Sequence, residues 1–166
     1  MSITGRAILI LFVLASCVGC DQISKSYAES RLSETTAISY LAGSVRFQLS
    51  HNEGAFLSLG ASLPKPWRRA ILSLGVACVL CGFLAYALFA RARLRSILGA
   101  SLVFAGGASN LADRLLYDGY VVDFINVGVG PLRTGIFNVA DMAIMAGTFL
   151  LLAAGIFGRS QRPSAS

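Results

Sequence analysis

Residues 70–111 read AILSLGVACVLCGFLAYALFARARLRSILGASLVFAGGASNL. An apolar run from Ala70 to Ala90 ends on Arg91, Arg93 and Arg95, and a second apolar run extends from Leu94 to about Leu111. Each run approaches the roughly 20 residues a helix needs to cross a bilayer. The link between them is too short for anything but a tight return. Two antiparallel membrane helices joined by a cationic loop follow, and arginines in a short loop mark the cytoplasmic side. Working outward, Ala7 to Ile23 and about Val139 to Phe157 are apolar runs of similar length. The expected architecture is a mainly α membrane protein with a bundle of four transmembrane helices, in one domain over residues 1–166.

Composition points the same way. Of 166 residues, 55% are hydrophobic and 13% are charged, about half the charge of a soluble domain. The net charge of +6 would suggest nucleic acid in a soluble chain. Here the basic residues flank apolar runs, so they orient the protein and no nucleic-acid partner is expected. Arg6 before the first run, the arginines at 91–95, and Arg159 and Arg162 after the last all fit the cytoplasmic side. Both termini are then cytoplasmic, and segments of about 24–69 and 112–138 face outward. Lys65, Arg68 and Arg69 run against the trend. With Trp67 beside them they read as a headgroup-level segment.

The first outer segment has strand periodicity. Val45, Phe47 and Leu49 alternate with Arg46, Gln48 and Ser50, between Gly43-Ser44 and His51-Asn52-Glu53-Gly54. Period-two alternation predicts a half-exposed strand, hence a small extracytoplasmic β-sheet over about 36–60. Phe56, Leu57, Leu59 and Leu63 suit a lipid interface. The polar tail from Ser160 is expected to be disordered. Cys17, Cys20, Cys78 and Cys81 lie in apolar runs with no further ligand to complete a zinc site, and read as small residues packed between helices. Leu14-Ala15-Ser16-Cys17 resembles a lipobox after a signal-like start. The three further spans favour an intact first helix instead.

Four aspartates sit at the outer ends of spans or in apolar surroundings: Asp21, Asp113, Asp123 and Asp141. An ionisable side chain at membrane depth costs about 2.5–3.5 kcal/mol on insertion scales and is a functional candidate by default. Gly106, Asn110 and Asp113 fall at i, i+4 and i+7, one polar stripe on a helix face. Asn138 and Asp141, at i and i+3, share a face at the start of the fourth span. Asp123 lies in the apolar extended tetrapeptide Val121-Val122-Asp123-Phe124. Gly128, Gly130, Pro131 and Gly135 let the chain turn back between Asp123 and Asp141, so the two carboxylates can meet at the outer surface. Such a pair shares a proton. One member is then a general base on water and the other a general acid on a carbonyl. The plainer alternative is that each aspartate caps a helix or pairs with Arg114 or Lys25, and for Asp113 that alternative is expected.

Other nucleophile systems fit poorly. His51, the single histidine, reads as a solvated turn residue. Ser24 and Lys25 are adjacent, so on a helix they point about 100° apart. Neither a Gly-x-Gly-Asp motif nor a phosphate loop nor a dinucleotide fingerprint is present.

Five motifs stand in order on this background: Asp21-Gln22-Ile23-Ser24-Lys25, Asn52-Glu53-Gly54-Ala55-Phe56, Gly106-Gly107 with Asn110 and Asp113-Arg114, Val121-Val122-Asp123-Phe124, and Phe137-Asn138-Val139-Ala140-Asp141. Over about residues 7–157 the chain resembles the bacterial signal peptidase II family, the lipoprotein signal peptidases. The resemblance implies an aspartic endopeptidase of the bacterial cytoplasmic (inner) membrane. It would remove signal peptides from diacylglyceryl-modified prolipoproteins by cleaving before the lipidated cysteine. Asp123 and Asp141 would be the catalytic pair. Asn52, Gly54, Asn110, Arg114, Asn138 and Ala140 would shape the site and hold substrate backbone. Asp21 and Lys25 would support it as an i, i+4 ion pair, acid first. No metal or organic cofactor is implied. The partners are the prolipoprotein and membrane lipid, with the enzyme a monomer and its site toward the outer face. Two readings compete: a small transporter or proton relay using the aspartates, and a non-catalytic membrane assembly factor.

Overall fold

A computed structural model describes residues 1–54 and 64–159. Helix α1 (Ile3–Arg31) begins at Ser2, whose hydroxyl accepts from the Gly5 N–H at 3.2 Å. Strands β1 (Ile38–Tyr40) and β2 (Val45–Asn52) follow. Helix α2 (Lys65–Ala70) runs through a π-helical turn (Ile71–Gly75) into α3 (Val76–Phe89). Then come α4 (Leu94–Leu116), β3 (Val121–Val129), β4 (Leu132–Arg133) and α5 (Val139–Arg159). The architecture is mainly helical with one small antiparallel sheet in the order β1-β2-β3-β4.

The apolar runs all became helices, and two continue beyond their apolar limits. The first passes Ile23 to Arg31 and the third passes Leu111 to Leu116. The charges Lys25 and Asp113 did not end them because the two are paired with each other inside the bundle. Among the described residues, two helices are long and apolar enough by themselves to cross a membrane, α1 and the stretch Val139–Ile156 of α5, and Ser73–Phe89 is a shorter apolar helix. Helix α4 packs against α1, α3 and α5, which is why a chain segment of its length carries so many polar side chains. The outward faces of the other helices are apolar: Phe12, Ile23, Phe89 and Phe149 are each about 70% exposed. Such a belt is far larger than a soluble surface carries and belongs in lipid.

Small residues set the closest helix pair. A Cβ on Gly99 would lie 2.8 Å from the Gly147 carbonyl oxygen, and one on Gly147 would lie 2.5 Å from that of Gly99. Two turns on, a Cβ on Gly106 would lie 2.4 Å from the Ala140 oxygen. Helices α4 and α5 therefore touch backbone to backbone, the small-residue packing typical of membrane helices. At the opposite end of the bundle from the sheet, Ile10, Ala87, Ile97 and Ala100 form an apolar cluster to which Leu151 adds. Arg6 donates there to the carbonyls of Ala87, Leu88 and Ala90, the last at 2.6 Å. It satisfies the orphan carbonyls at the end of α3.

Three expectations need correction. The alternation of Val45–Ser50 is not mirrored in burial, because β2 is half-buried on both faces until the exposed His51. Gln48 on the nominally polar face is tied to the Glu34 carbonyl at 2.6 Å. His51 and Asn52 belong to the strand rather than to a turn, since the ladder to β3 extends over His51↔Val122 and Asn52↔Val121. His51 Nδ1 is hydrogen-bonded to the Glu34 carboxylate, and its ring packs edge-on to Tyr120. The cysteines are not packed between helices. Cys20, Cys78 and Cys81 are exposed on the apolar exterior and Cys17 is half-buried, all four as free thiols. The segment Phe56, Leu57, Leu59 and Leu63 and the tail from Ser160 lie outside the described residues. Trp67 is exposed on α2, as an interfacial anchor requires.

Candidate active site

Helix α5 begins with a reciprocal cap. The Asn138 side-chain oxygen accepts from the Asp141 N–H at 2.9 Å, and the Asp141 carboxylate accepts from the Asn138 N–H at 3.2 Å. This is the capping-box geometry, with Asn-x-x-Asp in the usual Ser-x-x-Glu roles. The expected alternative for Asp141, a helix cap, is thus realised. It occupies only one carboxylate oxygen. The other accepts from the Asn110 amide at 2.9 Å.

Asn138 also joins the two acids. Its amide nitrogen donates to Asp123 Oδ1 at 2.7 Å, while its backbone and oxygen hold Asp141. The second Asp123 oxygen accepts from Asn52 at 2.9 Å. The Asn52 amide is locked in that sense because its own oxygen accepts from the Gly54 N–H at 3.0 Å. Strand β3 delivers Asp123, β2 delivers Asn52, and the pairing Ser50↔Asp123 beside a bulge brings them side by side. Asp123 is 2% exposed. Burial is the main cause that pushes its carboxyl up, to about 7; the Asn52 amide opposes this and the Asp141 charge adds to it.

A second cluster lies directly behind. Lys25 contacts Asp21 at 2.5 Å and Asp113 at 2.7 Å, all three side chains nearly inaccessible. Asp21 and Lys25 form the expected i, i+4 pair, and Asp113 takes Lys25 rather than its neighbour Arg114. The cluster reaches both acid-bearing elements. Asp21 accepts from the Ala140 N–H at 2.9 Å, one residue before Asp141. Asp113 accepts from the Val122 N–H at 3.4 Å, one residue before Asp123. Lys25 donates to the Asn110 oxygen at 3.1 Å, as does Asn138. Two donors on that oxygen fix the amide so that its nitrogen must face Asp141. A buried ammonium between two buried carboxylates costs desolvation, and its geometry is worth keeping only if it positions something.

Arg114 holds the edge of the site. It donates to the Gly54 carbonyl at 2.8 Å and to the Asn110 carbonyl at 3.2 Å. Its Nε is buried with no partner among the described residues. Asp123, Asp141, Asn52, Asn110 and Arg114 line a cleft of about 460 Å³ that continues down α5 past Ile144, Met145 and Phe149. All ten expected site residues are therefore brought together, although Ala140 contributes its backbone N–H and Gly54 its carbonyl. Two participants were not foreseen. Gln22 donates to Asp113 at 2.7 Å, and Ser109 donates to Asp21 at 2.7 Å. The signal for both was a polar residue beside a motif residue, Gln22 next to Asp21 and Ser109 next to Asn110.

Comparison with known proteins places this geometry. The family described as signal peptidase (SPase) II matches residues 13–157. A lipoprotein signal peptidase of Xanthomonas axonopodis pv. citri is 34% identical, over 94% of this chain and 90% of its own. One from Leifsonia xyli subsp. xyli is 35% identical, over 94% of this chain and 73% of its own. Among solved structures, a bacterial membrane enzyme determined by the in meso method at 2.3 Å has the same fold, with a TM-score of 0.79 at 21% identity, over 98% of this chain and 94% of its own. The fold, the ordered motifs and these relatives agree: the chain belongs to the signal peptidase II family of membrane peptidases.

Proposed function

We propose that Asp123 and Asp141 are the catalytic pair of an aspartic endopeptidase that removes signal peptides from diacylglyceryl-modified prolipoproteins. The observation that carries this is the Asn138 bridge: one amide and one backbone hold a buried and a half-buried carboxylate at the mouth of a cleft open along a lipid-facing helix. Asp123, with its carboxyl pushed up to about 7, is the protonated member. Asp141 sits in the first turn of α5, where the helix dipole favours the anion. Asp141 takes a proton from water as its oxygen bonds to the scissile carbonyl carbon. Asp123 gives its proton to the carbonyl oxygen. Collapse of the diol returns a hydroxyl proton to Asp123 and breaks the C–N bond, while Asp141 passes the proton it took from water to the leaving amine. The unpartnered Arg114 Nε donates to a substrate carbonyl, since arginine has donors only.

The chain acts as a single membrane-embedded unit with four spans: α1, the α2–α3 helix, α4 and α5. Arg6 at the end of α3, and Leu151 in the same apolar cluster, support one side for both termini and the arginine link. With arginines inside, the acids lie toward the outer face of the cytoplasmic membrane. Their clustering at one end disfavours a transmembrane relay. A monomer suffices, because one chain supplies every site residue.

The test is gel-shift cleavage of a diacylglyceryl prolipoprotein by purified protein in detergent, with unmodified prolipoprotein as control. Asp123→Asn and Asp141→Asn should each abolish cleavage in a protein that still melts cooperatively. Retained cleavage by either variant would remove that residue from catalysis.

A further inference from the structure

We propose that Arg46 and Arg133, side by side on one face of the sheet, form a binding site for the phosphodiester of an anionic glycerophospholipid. The pairings Arg46↔Asn126 and Gly128↔Arg133 put both arginines and Asn126 on the same face, since directly opposed residues and residues two apart share a face. Gly128 makes room for this. A Cβ there would lie 2.7 Å from Arg133 Cγ, so only glycine lets Arg133 lie flat across β3. Arg133 is then anchored, donating to Asn126 Oδ1 at 2.5 Å and to the Gly43 carbonyl at 2.9 Å. The Arg46 guanidinium converges on the same glycine, its terminal nitrogen 4.0 Å from where a Gly43 Cβ would stand.

Two cations have thus been brought together without an acid. Neither has a carboxylate partner among the described residues. The Arg46 Nε is buried and has no hydrogen-bond partner among them. A buried donor without an acceptor is destabilising, and more so beside a like charge. The two free oxygens of a phosphodiester match two guanidinium forks. The rim decides what carries that phosphate. Leu41, Val129 and Leu132 at the adjoining hairpin ends are 76%, 77% and 83% exposed. The Gly128 N–H to Ser44 carbonyl bond brings those ends together. Val129 and Leu132 pair with each other and so lie on the opposite face from the arginines. A sheet edge that is cationic on one face and aliphatic on the other fits a charged headgroup with acyl chains below it, and not a free ion. The bilayer as source rests on the function proposed above, in which the acids, and with them the sheet that carries Asp123, lie toward the outer face of the membrane.

The full chain in neutral detergent micelles should bind short-chain phosphatidylglycerol, read as a rise in melting temperature. Short-chain phosphatidylcholine and inorganic phosphate should leave it unchanged. Arg46→Gln should weaken that binding about tenfold, the scale of one charge-assisted hydrogen bond, with prolipoprotein cleavage in plain micelles unaltered. The Arg46 side chain makes no hydrogen bond among the described residues, so this variant keeps the test valid if Arg133→Gln disrupts the hairpin. Equal binding by wild type and Arg46→Gln overturns the site, and an equal effect of inorganic phosphate shows an adventitious anion only. The micelle arm does not depend on where the sheet sits. The placement is tested separately in nanodiscs with Trp67→Phe/Leu132→Trp. Quenching by brominated lipid supports the bilayer as source, and fluorescence from water without quenching overturns it.

Discussion

Gly106→Ala adds one methyl group where α4 and α5 touch. The new Cβ would stand 2.4 Å from the Ala140 oxygen and 2.9 Å from Ile144 Cγ1, about 1 Å short of ordinary contact with the carbonyl. That carbonyl belongs to a helix backbone and cannot rotate away, so the helices must separate. Asp141 follows Ala140 directly, and Asn110 is one turn beyond Gly106. Their 2.9 Å hydrogen bond would stretch beyond bonding range. Overpacking of this kind costs about 1–3 kcal/mol, which a folded bundle tolerates. Displacing a catalytic group by about 1 Å costs roughly 100-fold in rate, or about 2.7 kcal/mol of barrier. The expected result is a near-normal melting temperature with kcat/KM down about two orders of magnitude, measured by signal-peptide release from a lipidated prolipoprotein. Gly19→Ala, whose Cβ would meet nothing within 4 Å, is the control and should cleave normally. An undiminished rate for Gly106→Ala would refute the claim that the glycine contact sets the carboxylate geometry.

Cleavage should fall as pH rises through about 7, where Asp123 loses the proton it donates; a pH–rate profile checks this. The sign for stability follows from the same shift. The folded carboxyl binds its proton more tightly than the unfolded one at 3.8, so Asp123 erodes stability as pH rises from about 4 to 7. The melting-temperature difference between Asp123→Asn and wild type should therefore grow in the variant's favour over that interval. Lys25→Ala leaves Asp21 and Asp113 buried without their cation and should destabilise by about 3–5 kcal/mol, read by thermal unfolding in detergent. Asn138→Ser keeps a competent N-cap but loses the bridge to Asp123, so activity should collapse with little change in melting temperature.

Much of this was legible in the residues, for physical reasons. A carboxylate in an apolar run is expensive enough that its presence has to be explained, and that rule alone picks out Asp21, Asp113, Asp123 and Asp141. Helical spacing placed Asn138 with Asp141 and Asp21 with Lys25. Spacing within one helix could not show that Asn138 reaches across to Asp123, because that bond depends on where β3 lies. Helix ends were misjudged for a related reason. Hydropathy places a boundary where polar residues begin, but Lys25 and Asp113 continue their helices with partners on other elements, while Ser24 and Ser30 bond carbonyls of their own helix. The burial of β2 was obscured in the same way: Gln48 is polar by type, but a local hydrogen bond ties it down.

The bonds that complete the site are long in sequence. Asp21 to the Ala140 N–H spans 119 positions, and Lys25 to Asn110 spans 85. Closing such loops is entropically costly and comes late in folding. Until α5 docks, the Ala140 N–H has not reached Asp21, Asp141 has no Asn110, and Asp123 has no bridge. Catalytic competence is therefore not a property that accumulates helix by helix. It switches on with the arrival of the final helix, so a partly inserted chain in the membrane is an inert one.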